Sequence, residues 1–240
     1  MIKALWDLEA IEECSDLAGS QVVVFDVLRA TSSMITAMQA GAERIRPVRT
    51  VEEARAWKSE FPDWLLAGER GGEPLPGFDL GNSPSDFSPE RVQGASIVWT
   101  TTNGSRALVA AGSADKVWLG GLVNVAALAQ VLQVEQPRCL WLFCAGTGNK
   151  VAWEDVLGAG ALVRALSKTP MNWRAKTARL LYTWQKDRLA SFMASTRNGR
   201  ALMSSGRESD VALCAELNGS NVVPELRQGE VVAGPVYPSG

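Results

Sequence analysis

A glycine-rich stretch that carries two acids and an arginine is the part of this sequence best suited to chemistry. It reads Gly68-Glu69-Arg70-Gly71-Gly72-Glu73-Pro74, and a second polar stretch follows at Gly77-Phe78-Asp79-Leu80-Gly81-Asn82-Ser83-Pro84. Glycines let backbone amides approach a ligand closely and permit positive φ angles. Carboxylates beside a guanidinium in such a loop suit a divalent cation bound together with an anionic substrate. The alternative is an ordinary surface loop built from turn residues.

The absence of histidine from the 240 residues narrows the chemistry further. It excludes a Ser-His-Asp triad, a Cys-His pair, a phosphohistidine intermediate and every metal site that contains histidine. Catalysis must therefore depend on carboxylates, lysine, arginine, tyrosine, hydroxyls, thiols or a metal ion. Hard oxygen ligands favour magnesium, calcium or manganese over zinc.

Composition indicates an ordinary soluble globular protein. The formal net charge of −2 offers no excess of positive charge for nucleic acid, so we expect no nucleic-acid partner. The four cysteines form no C-x-x-C pair, so a disulfide framework is not expected and a reducing cytoplasm fits. Neither a signal-peptide core nor a run of about 18 apolar residues occurs, so we expect a cytoplasmic protein that does not cross a membrane.

Short apolar runs alternate with amphipathic helical patterns, which is typical of an α/β fold with a largely parallel or mixed sheet covered by helices. The predicted strands are Gln21–Phe25, Arg44–Val48, Trp64–Ala67, Ser96–Thr100, Lys116–Leu119, Arg138–Cys144 and Glu230–Val236. The predicted helices are Leu5–Leu17, Thr31–Ala40, Val51–Phe61, Ser105–Ala111, Val125–Val134, Glu154–Leu166, Trp173–Ala194 and Asp210–Leu217. No linker-like composition divides the chain, so we expect residues 1–240 to form one compact catalytic unit.

A strand–loop–helix pattern occurs twice and indicates an internal pseudo-repeat. The first copy runs from Val22 through a polar loop and a helix to Gly41, and the second runs from Ile97 to Gly112. Each copy ends in a glycine that is followed by the next strand. The pattern fits a duplication, and it fits equally well what any α/β unit looks like.

Polar loops directly follow several predicted strands, and in open parallel sheets such loops gather at one edge, where ligands bind. The first loop begins at Asp26, at the rigid end of a strand, and leads through Arg29 to Thr31. Asp26 suits a metal ligand or a nucleophile, and hydroxyls at a helix N-terminus suit an anion. Alternatively, Thr31 only caps the helix and Asp26 belongs to a structural hydrogen-bond network.

The other loops present the same choice between a ligand site and local structure. The loop after the predicted strand Ser96–Thr100 offers small donors that can cradle a phosphate or simply form a polar turn before a helix. Its candidate residues are Thr101, Asn103, Gly104 and Ser105. The loop after the predicted strand Arg138–Cys144 leads to Lys150, which could reach an anion. Glu154 and Asp155 follow, and they either bind a cation or complement a helix dipole.

Acids, cations and amide donors gathered at one sheet edge suit attack on a phosphorus centre, where positioning and electrostatics do most of the work. The order and spacing of the motifs also resemble the 2-phosphosulfolactate phosphatase family. The resemblance is carried by Asp26-Val27-Leu28-Arg29-Ala30-Thr31, Gly68–Gly72, Gly77–Pro84, Thr101-Thr102-Asn103-Gly104 and Glu154-Asp155. A weaker echo follows at Gly199-x-x-Leu202, Asp210, Cys214 and Val223-Pro224, and the basic segment Lys168–Arg188 matches no motif.

The resemblance implies a three-layer α/β/α fold and a magnesium-dependent hydrolase that removes phosphate from 2-phospho-3-sulfolactate, a step toward coenzyme M. The residues expected to be catalytic are Asp26, Arg29, Glu69 and Arg70. Those expected to bind substrate are Thr31, Asn82, Thr101, Asn103, Gly104, Ser105 and Lys150. Mg²⁺ is expected to be held by acids drawn from Asp26, Glu69, Glu73, Asp79, Glu154 and Asp155. Either Asp26 or a metal-activated water would attack phosphorus.

The substrate so implied carries phosphate, carboxylate and sulfonate groups. The cations expected to meet them are Arg29, Arg70, Arg106 and Lys150. Two alternatives stay open: a phosphatase of the same fold acting on another small phosphorylated carboxylic acid, and a catalytically silent anion-binding module. A homo-oligomer also stays open, because Trp57, Trp173 and Trp184 on predicted helices could supply an interface. Tryptophan at helical spacing more often belongs to a core.

Overall fold

The computed structural model describes residues 1–166 and 169–235. The strands are β1 (Ile2–Leu5), β2 (Gln21–Phe25), β3 (Arg44–Pro47), β4 (Leu65–Arg70), β5 (Glu73–Pro74), β6 (Ser96–Thr100), β7 (Lys116–Gly120), β8 (Leu140–Cys144), β9 (Pro224–Arg227) and β10 (Glu230–Ala233). The helices are α1 (Leu8–Glu12), α2 (Ala30–Gln39), α3 (Val51–Glu60), α4 (Pro89–Val92), α5 (Gly104–Ala110), α6 (Val125–Glu135), α7 (Trp153–Ala165), α8 (Trp173–Gln185), α9 (Leu189–Ser195), α10 (Arg197–Ser204) and α11 (Glu208–Ala215).

The strands form one mixed sheet in the order β1-β8-β2-β7-β9-β10-β3-β6-β4-β5. Strands β1, β8, β2 and β7 run parallel in one half, and β3, β6 and β4 run parallel in the other. The hairpin β9–β10 lies between the halves and pairs antiparallel with β7 and β3. The two halves therefore run in opposite directions along the sheet. Because their carboxyl ends do not share one edge of a flat sheet, coiling of the sheet must bring their loops together.

Alternate residues of β2 point into two different cores, and helices cover both. Val23 and Phe25 pack in the core that contains α6 and α7, whereas Val22 and Val24 pack in the core that contains α2 and α5. A strand buried on both faces has an unbroken apolar sequence, which is why Gln21–Phe25 was predicted with the correct bounds. The three-layer α/β/α fold with a mixed, mostly parallel sheet is thus confirmed.

The prediction for the N-terminus was wrong. Leu5–Leu17 was expected to be one helix, but the chain forms β1 and the short α1, and β1 pairs in parallel with β8. Ile2 and Ala4 are buried while Lys3 is half-buried, and this period of two is too short to recognise in the sequence. The N-terminal residues therefore extend the sheet rather than cover it.

Other boundaries also differ from the expectation. The predicted helix Trp173–Ala194 ends at Gln185, and α9 begins separately at Leu189. Strands β5 and β9 and helices α4 and α10 were not predicted. Lys168 and Val236, at the ends of predicted segments, lie outside the described residues. No helix in the described ranges combines the length and apolarity needed to cross a membrane.

Candidate active site

A cavity of about 300 Å³ opens where loops from both halves of the sheet meet. Its size lies at the lower end of the range for small-molecule sites. Loops that follow β2, β4, β6 and β8 contribute to its wall, and the first residues of α10 complete it. The polar side chains that matter most for the chemistry are those of Asp26, Arg29, Glu69, Asn82, Asn103 and Arg197.

Asp26 follows β2 directly, and its carboxyl group lies at the beginning of α2. Oδ1 accepts a hydrogen bond of 3.2 Å from the Ala30 N–H, which is the one hydrogen bond to this carboxyl group in the described part of the chain. The second oxygen, Oδ2, faces Gly104 at the beginning of α5, where an added Cβ would lie 2.6 Å from it. Asp26 therefore has one carboxylate oxygen that is not committed to the protein.

The glycine-rich stretch forms the hairpin β4–β5, and Glu69 ties its tip to the loop before α5. Gly71 and Gly72 form the turn with φ angles of 63° and 88°, values that favour glycine. Glu69 Oε2 accepts from the Gly72 N–H at 2.6 Å. Its Oε1 accepts from both the backbone N–H and the hydroxyl of Thr102, at 2.8 and 3.0 Å. The Glu69 carboxylate thus organises two walls of the cavity.

Arg29 is buried and anchors the same hairpin from the opposite side. Its Nη1 lies 2.5 Å from Asp210 Oδ2, and its Nη2 donates to the Gly72 carbonyl at 2.8 Å. Arg207 donates to that carbonyl as well and pairs with Glu73. Asp210 and the Gly72 carbonyl thus hold the Arg29 guanidinium in place at the cavity.

Asn103 and Asp155 hold the loops together from behind. The Asn103 amide donates to the carbonyls of Ala145 and Gly148 at 2.9 and 3.1 Å. The Asp155 carboxylate accepts from the backbone N–H groups of Val27 and Gly146, at 2.7 and 3.0 Å. These contacts connect the loop after β8 to the loops after β6 and β2.

Three further polar side chains complete the cavity. Arg197 begins α10 and is exposed, and no carboxylate in the described residues pairs with it. Asn198 donates to Thr147 Oγ1 and to Glu154 Oε1, each at 2.6 Å. Asn82 is 5% exposed, yet its Oδ1 has no hydrogen-bond partner in the described residues. A buried oxygen without a donor is costly, and a ligand donor would relieve that cost.

Comparison with known proteins shows the family of this chain. A family model described as 2-phosphosulpholactate phosphatase matches residues 8–229. A probable 2-phosphosulfolactate phosphatase of Caldanaerobacter subterraneus is 38% identical over 221 residues, covering 90% of this chain and 91% of the relative. A protein with the same name from Symbiobacterium thermophilum is 35% identical, and the match covers 92% of this chain and 97% of the relative. One from Deinococcus radiodurans is 38% identical, and the match covers 88% of this chain and 89% of the relative.

The chain belongs to the 2-phosphosulpholactate phosphatase family. This confirms the resemblance found in the motifs, and it makes the chain a member of a family of phosphoric monoester hydrolases.

The acids of this family member are buried close enough together to perturb one another. Burial raises the pKa of Asp26 to about 7, with the charges of Glu69 and Glu154 acting in the same direction and the Ala30 N–H and Arg29 opposing them. Burial also raises the pKa of Glu154, and the pKa of Asp155 lies well above its ordinary value because of burial and the charges of Asp26 and Glu154. Perturbed acids in a cavity are typical of functional sites.

Five residues predicted for the phosphatase site do line the cavity, namely Asp26, Arg29, Glu69, Asn82 and Asn103. Their individual roles stay predictions. Glu154 and Asp155 are each 1% exposed and do not line the cavity. Their hydrogen bonds connect them to the cavity wall through Asn198 and through the backbone of Val27 and Gly146.

Most of the small donors predicted to bind substrate are occupied by local structure, and their role in substrate binding stays a prediction. Thr31 donates to the Gly120 carbonyl at 2.8 Å and accepts from the Asp26 N–H. Thr101 and Ser105 each accept from the other's backbone N–H at 3.0 Å. All three are buried and do not line the cavity, and Gly104 packs against Asp26. The capping alternative describes these hydroxyls better than a phosphate cradle does.

Four charged residues expected at the site do not line the cavity. Successive strand residues point to opposite faces, so Arg70 points away from Glu69 and donates to Thr100 Oγ1. Asp79 is exposed and accepts from the Leu66 N–H at 2.8 Å. Lys150 is exposed and does not line the cavity. Arg106, expected to meet a substrate anion, instead forms a double contact with Glu12.

The cavity also contains residues that the motifs did not identify as functional. Arg197 and Asn198 come from α10, which was not predicted, and Thr102 comes from a loop whose other members were chosen instead. The weaker family resemblance at Gly199 was the sequence signal that could have identified α10 as part of the site. It follows Asn198 directly, and a Cβ there would lie 1.8 Å from the Met193 carbonyl. Glycine at this position therefore sets the tight approach of α9 to α10.

Proposed function

We propose that this protein removes phosphate from 2-phospho-3-sulfolactate to give 3-sulfolactate. The observation that carries the proposal is the family match over residues 8–229 together with a cavity in which Asp26, Arg29 and Glu69 meet from separate loops. The relatives' names supply the substrate. We further propose that the chain works as one catalytic unit, since both halves of the sheet contribute to this cavity.

The charges around the cavity suit a small, highly anionic substrate. Arg29 is held in place by Asp210 and Gly72, and Arg197 faces the cavity from the beginning of α10. The N-terminus of α2 also faces this region through the Ala30 N–H, and helix N-termini favour anions. Buried cations and amide dipoles that are already oriented stabilise charge that develops on phosphoryl oxygens during transfer.

The same cavity contains Asp26 and Glu69, which would repel that substrate. A divalent cation between the carboxylates and the phosphate removes this conflict, and it supports our proposal that the enzyme depends on Mg²⁺. Across the described residues no three acids or cysteines are grouped to hold a metal ion by themselves. Mg²⁺ commonly uses only one or two carboxylates and takes its other ligands from water and substrate phosphate.

Asp26 fits that mode of binding, because its Oδ2 accepts no hydrogen bond and burial raises its pKa to about 7. A bound cation would favour the ionised carboxylate and offset that burial. We therefore propose Asp26 as the principal protein ligand, with Glu69 beside it but committed to Gly72 and Thr102. When bound, Mg²⁺ would neutralise the phosphoryl oxygens. Asp79 is not part of this proposal, because it does not line the cavity.

Asp26 has two chemical options at phosphorus, and both require the carboxylate to be ionised. As a nucleophile it would form an acyl phosphate as the ester oxygen leaves, and water would then hydrolyse that intermediate. Otherwise it would orient an attacking water. Trapping of a phosphorylated Asp26 peptide in quenched reactions would show the first route, and its absence under rapid quench would favour the second.

A magnesium-titrated phosphate-release assay tests the proposal. Substrates would be 2-phosphosulfolactate and matched phosphomonoesters that lack the sulfonate or the carboxylate. We expect release that depends on Mg²⁺ and is fastest with the sulfonate present. A preference for a substrate without sulfonate would replace the proposed substrate with another small phosphorylated acid. Binding of phosphate analogues without turnover would identify an anion-binding module.

We also propose the role in coenzyme M synthesis that the resemblance implies. It is separate from the enzymatic proposal, because an enzyme with this activity could serve another use of sulfolactate. A deletion strain whose coenzyme M pool is unchanged would contradict this role while leaving the assay result intact.

A further inference from the structure

Helix α8 exposes an apolar ridge on the face opposite to its buried side. Ala175 and Ala178 are buried, whereas Trp173, Leu180 and Trp184 are 62%, 56% and 76% exposed. At about 100° per residue, these three side chains lie within one narrow sector that points away from the two alanines. Single exposed apolar residues are common, but a row of large ones on one face indicates an interaction surface.

The ridge continues beyond the helix through an aromatic cluster. Trp173 lies 5.6 Å from Trp6, measured between ring centroids, and Trp6 lies 6.2 Å from Trp153, which is 47% exposed. Together the exposed parts of Trp153, Trp173, Trp184 and Leu180 amount to roughly 500 Å², if the surface of a tryptophan side chain is about 250 Å². That value is near the upper end of the largest apolar patch expected on a monomer.

The spacing of the ridge is symmetric from end to end. Trp173, Thr177, Leu180 and Trp184 are separated by four, three and four residues. If α8 of a second copy packs antiparallel along the ridge, Trp173 faces Trp184 of the second copy and Thr177 faces Leu180. Alternating steps of three and four also form the seam along which helices pack in coiled coils. The ridge is therefore complementary to itself under two-fold symmetry, as an isologous dimer requires.

The charges beside the ridge permit this antiparallel arrangement. Helix α8 contains Arg174, Lys176 and Arg179 but no acidic residue. Antiparallel packing brings the same flank of each helix together. Arg174 therefore faces Leu181 of the second copy and Lys176 faces Thr183, so no two basic residues oppose each other across the seam.

We propose that the protein forms a two-fold dimer in which α8 packs antiparallel against α8 of a second copy. The ridge of both copies would bury roughly 1,000 Å² in total before flanking residues are counted, which meets the lower bound for a specific interface. The proposal does not depend on the phosphatase assignment, since none of the ridge residues lines the cavity.

Sedimentation velocity of the full chain, from low to high micromolar concentration, tests the dimer. We expect the native chain to be dimeric and the double variant Trp173→Lys/Trp184→Lys to be monomeric. Val134→Lys is the matched control, because Val134 is 58% exposed on α6, away from the ridge, and it should stay dimeric. Far-UV circular dichroism checks that each variant is folded. A native chain that is monomeric throughout, or a folded ridge variant that stays dimeric, would overturn the proposal.

The orientation is tested at Thr183, which is exposed and flanks the ridge. Thr183→Glu would face Lys176 of the second copy and should tighten the dimer about two- to fivefold, whereas Thr183→Arg should weaken it by a similar factor. A dimer that Thr183→Glu weakens would contradict the antiparallel arrangement. A flotation assay with phosphatidylglycerol vesicles tests whether a membrane, rather than a second copy, covers the ridge. A monomer that binds them through the ridge would replace the second copy with an anionic membrane surface.

Discussion

The two strand–loop–helix units that echo each other in the sequence, β2–α2 and β6–α5, meet at the cavity but contribute different chemistry. Their helices begin side by side, because a Cβ at Gly104 would lie 2.7 Å from Ala30 Cβ and 2.6 Å from Asp26 Oδ2. The first unit supplies charge through Asp26 and Arg29, whereas the second supplies neutral groups such as Asn103. The shared backbone pattern decides where the loops meet, and the side chains decide what each loop does.

The units also differ in how completely their polar groups are satisfied. In the second, the Asn103 amide donates to two carbonyls, and Thr101 and Ser105 satisfy each other. In the first, Asp26 keeps an oxygen without a donor and its pKa is raised by burial to about 7. Unsatisfied buried groups cost stability and concentrate at functional sites. We therefore propose that the first unit carries the reactive groups and that the second holds the architecture.

Asp26→Asn provides the largest test of this difference. We expect kcat for phosphate release to fall by about 10³-fold or more, because the amide cannot carry the charge that either route needs. Asp79→Asn is the matched control, since Asp79 was predicted to be a ligand but lies outside the cavity, and its activity should stay near native. Comparable rates for Asp26→Asn and native enzyme would show that the first unit is not the reactive one.

The same substitution should stabilise the folded protein at alkaline pH. The pKa of Asp26 rises from 3.8 to about 7 on folding, so the folded state binds more protons between those values. The free energy of unfolding of the native protein therefore falls as pH rises through that window and stays reduced above it. Asparagine does not ionise, so Asp26→Asn should be more stable than native by about 2–4 kcal/mol at pH about 8, with little difference at pH about 4.

Denaturant unfolding at both pH values, without added metal, measures this effect. Adding Mg²⁺ at the higher pH should raise the stability of the native protein and leave Asp26→Asn nearly unchanged, because only the native carboxylate offers the cation a ligand. A variant that is less stable than native at the higher pH would mean that Asp26 is a structural acid.

Gly104→Ala tests the contact between the two units. Its Cβ would collide with Asp26 Oδ2 and with Ala30 Cβ at the start of α2, so we expect a loss of about 1–3 kcal/mol in the free energy of unfolding. Displacement of Asp26 should also lower kcat by about tenfold to a hundredfold. Gly112→Ala is the control within the same unit, because nothing lies within 4 Å of its added Cβ. Equal effects of the two substitutions would argue against the steric contact.

Asn103→Ala and Asn82→Ala separate architecture from binding and should have the smallest effects. Removing the Asn103 amide leaves two carbonyls without their donor, so stability should fall by about 1–2 kcal/mol. Asn82 Oδ1 has no partner in the described residues, so Asn82→Ala should change stability by less than about 1 kcal/mol but raise KM. Steady-state kinetics and denaturant unfolding measure these effects. Equal effects of the two substitutions on KM and on the free energy of unfolding would contradict this separation of roles.

The predictions from sequence succeeded where the pattern was local. The buried strand Gln21–Phe25 is an unbroken apolar run, and its bounds were predicted correctly. Asp26 was placed correctly because a residue that directly follows a buried strand has little freedom in its position. Arg70 was expected at the site, but its neighbour Glu69 is the residue of the pair that lines the cavity. The motif does not specify which of two successive strand residues points to the cavity.

Residues that depend on distant parts of the chain were beyond the reach of such patterns. Arg29 was identified, but its partner Asp210 lies 181 positions away and was noticed only as part of a weak echo. Arg197 and Asn198 reach the cavity because α9 and α10 pack closely at Gly199. The opposite directions of the two sheet halves follow from the hairpin β9–β10, of which only β10 had been predicted.

The sequence by itself determined the α/β class, the family and the loop that carries Asp26, because apolar periodicity and motif spacing are properties of neighbouring residues. Only the tertiary structure decided which polar groups are free. Burial and hydrogen bonding commit Thr31, Thr101 and Ser105 to the backbone, direct Arg70 and Lys150 away, and leave Asp26 with an unpaired oxygen. The availability of a side chain for chemistry is set by its neighbours in space, which the order of residues does not specify.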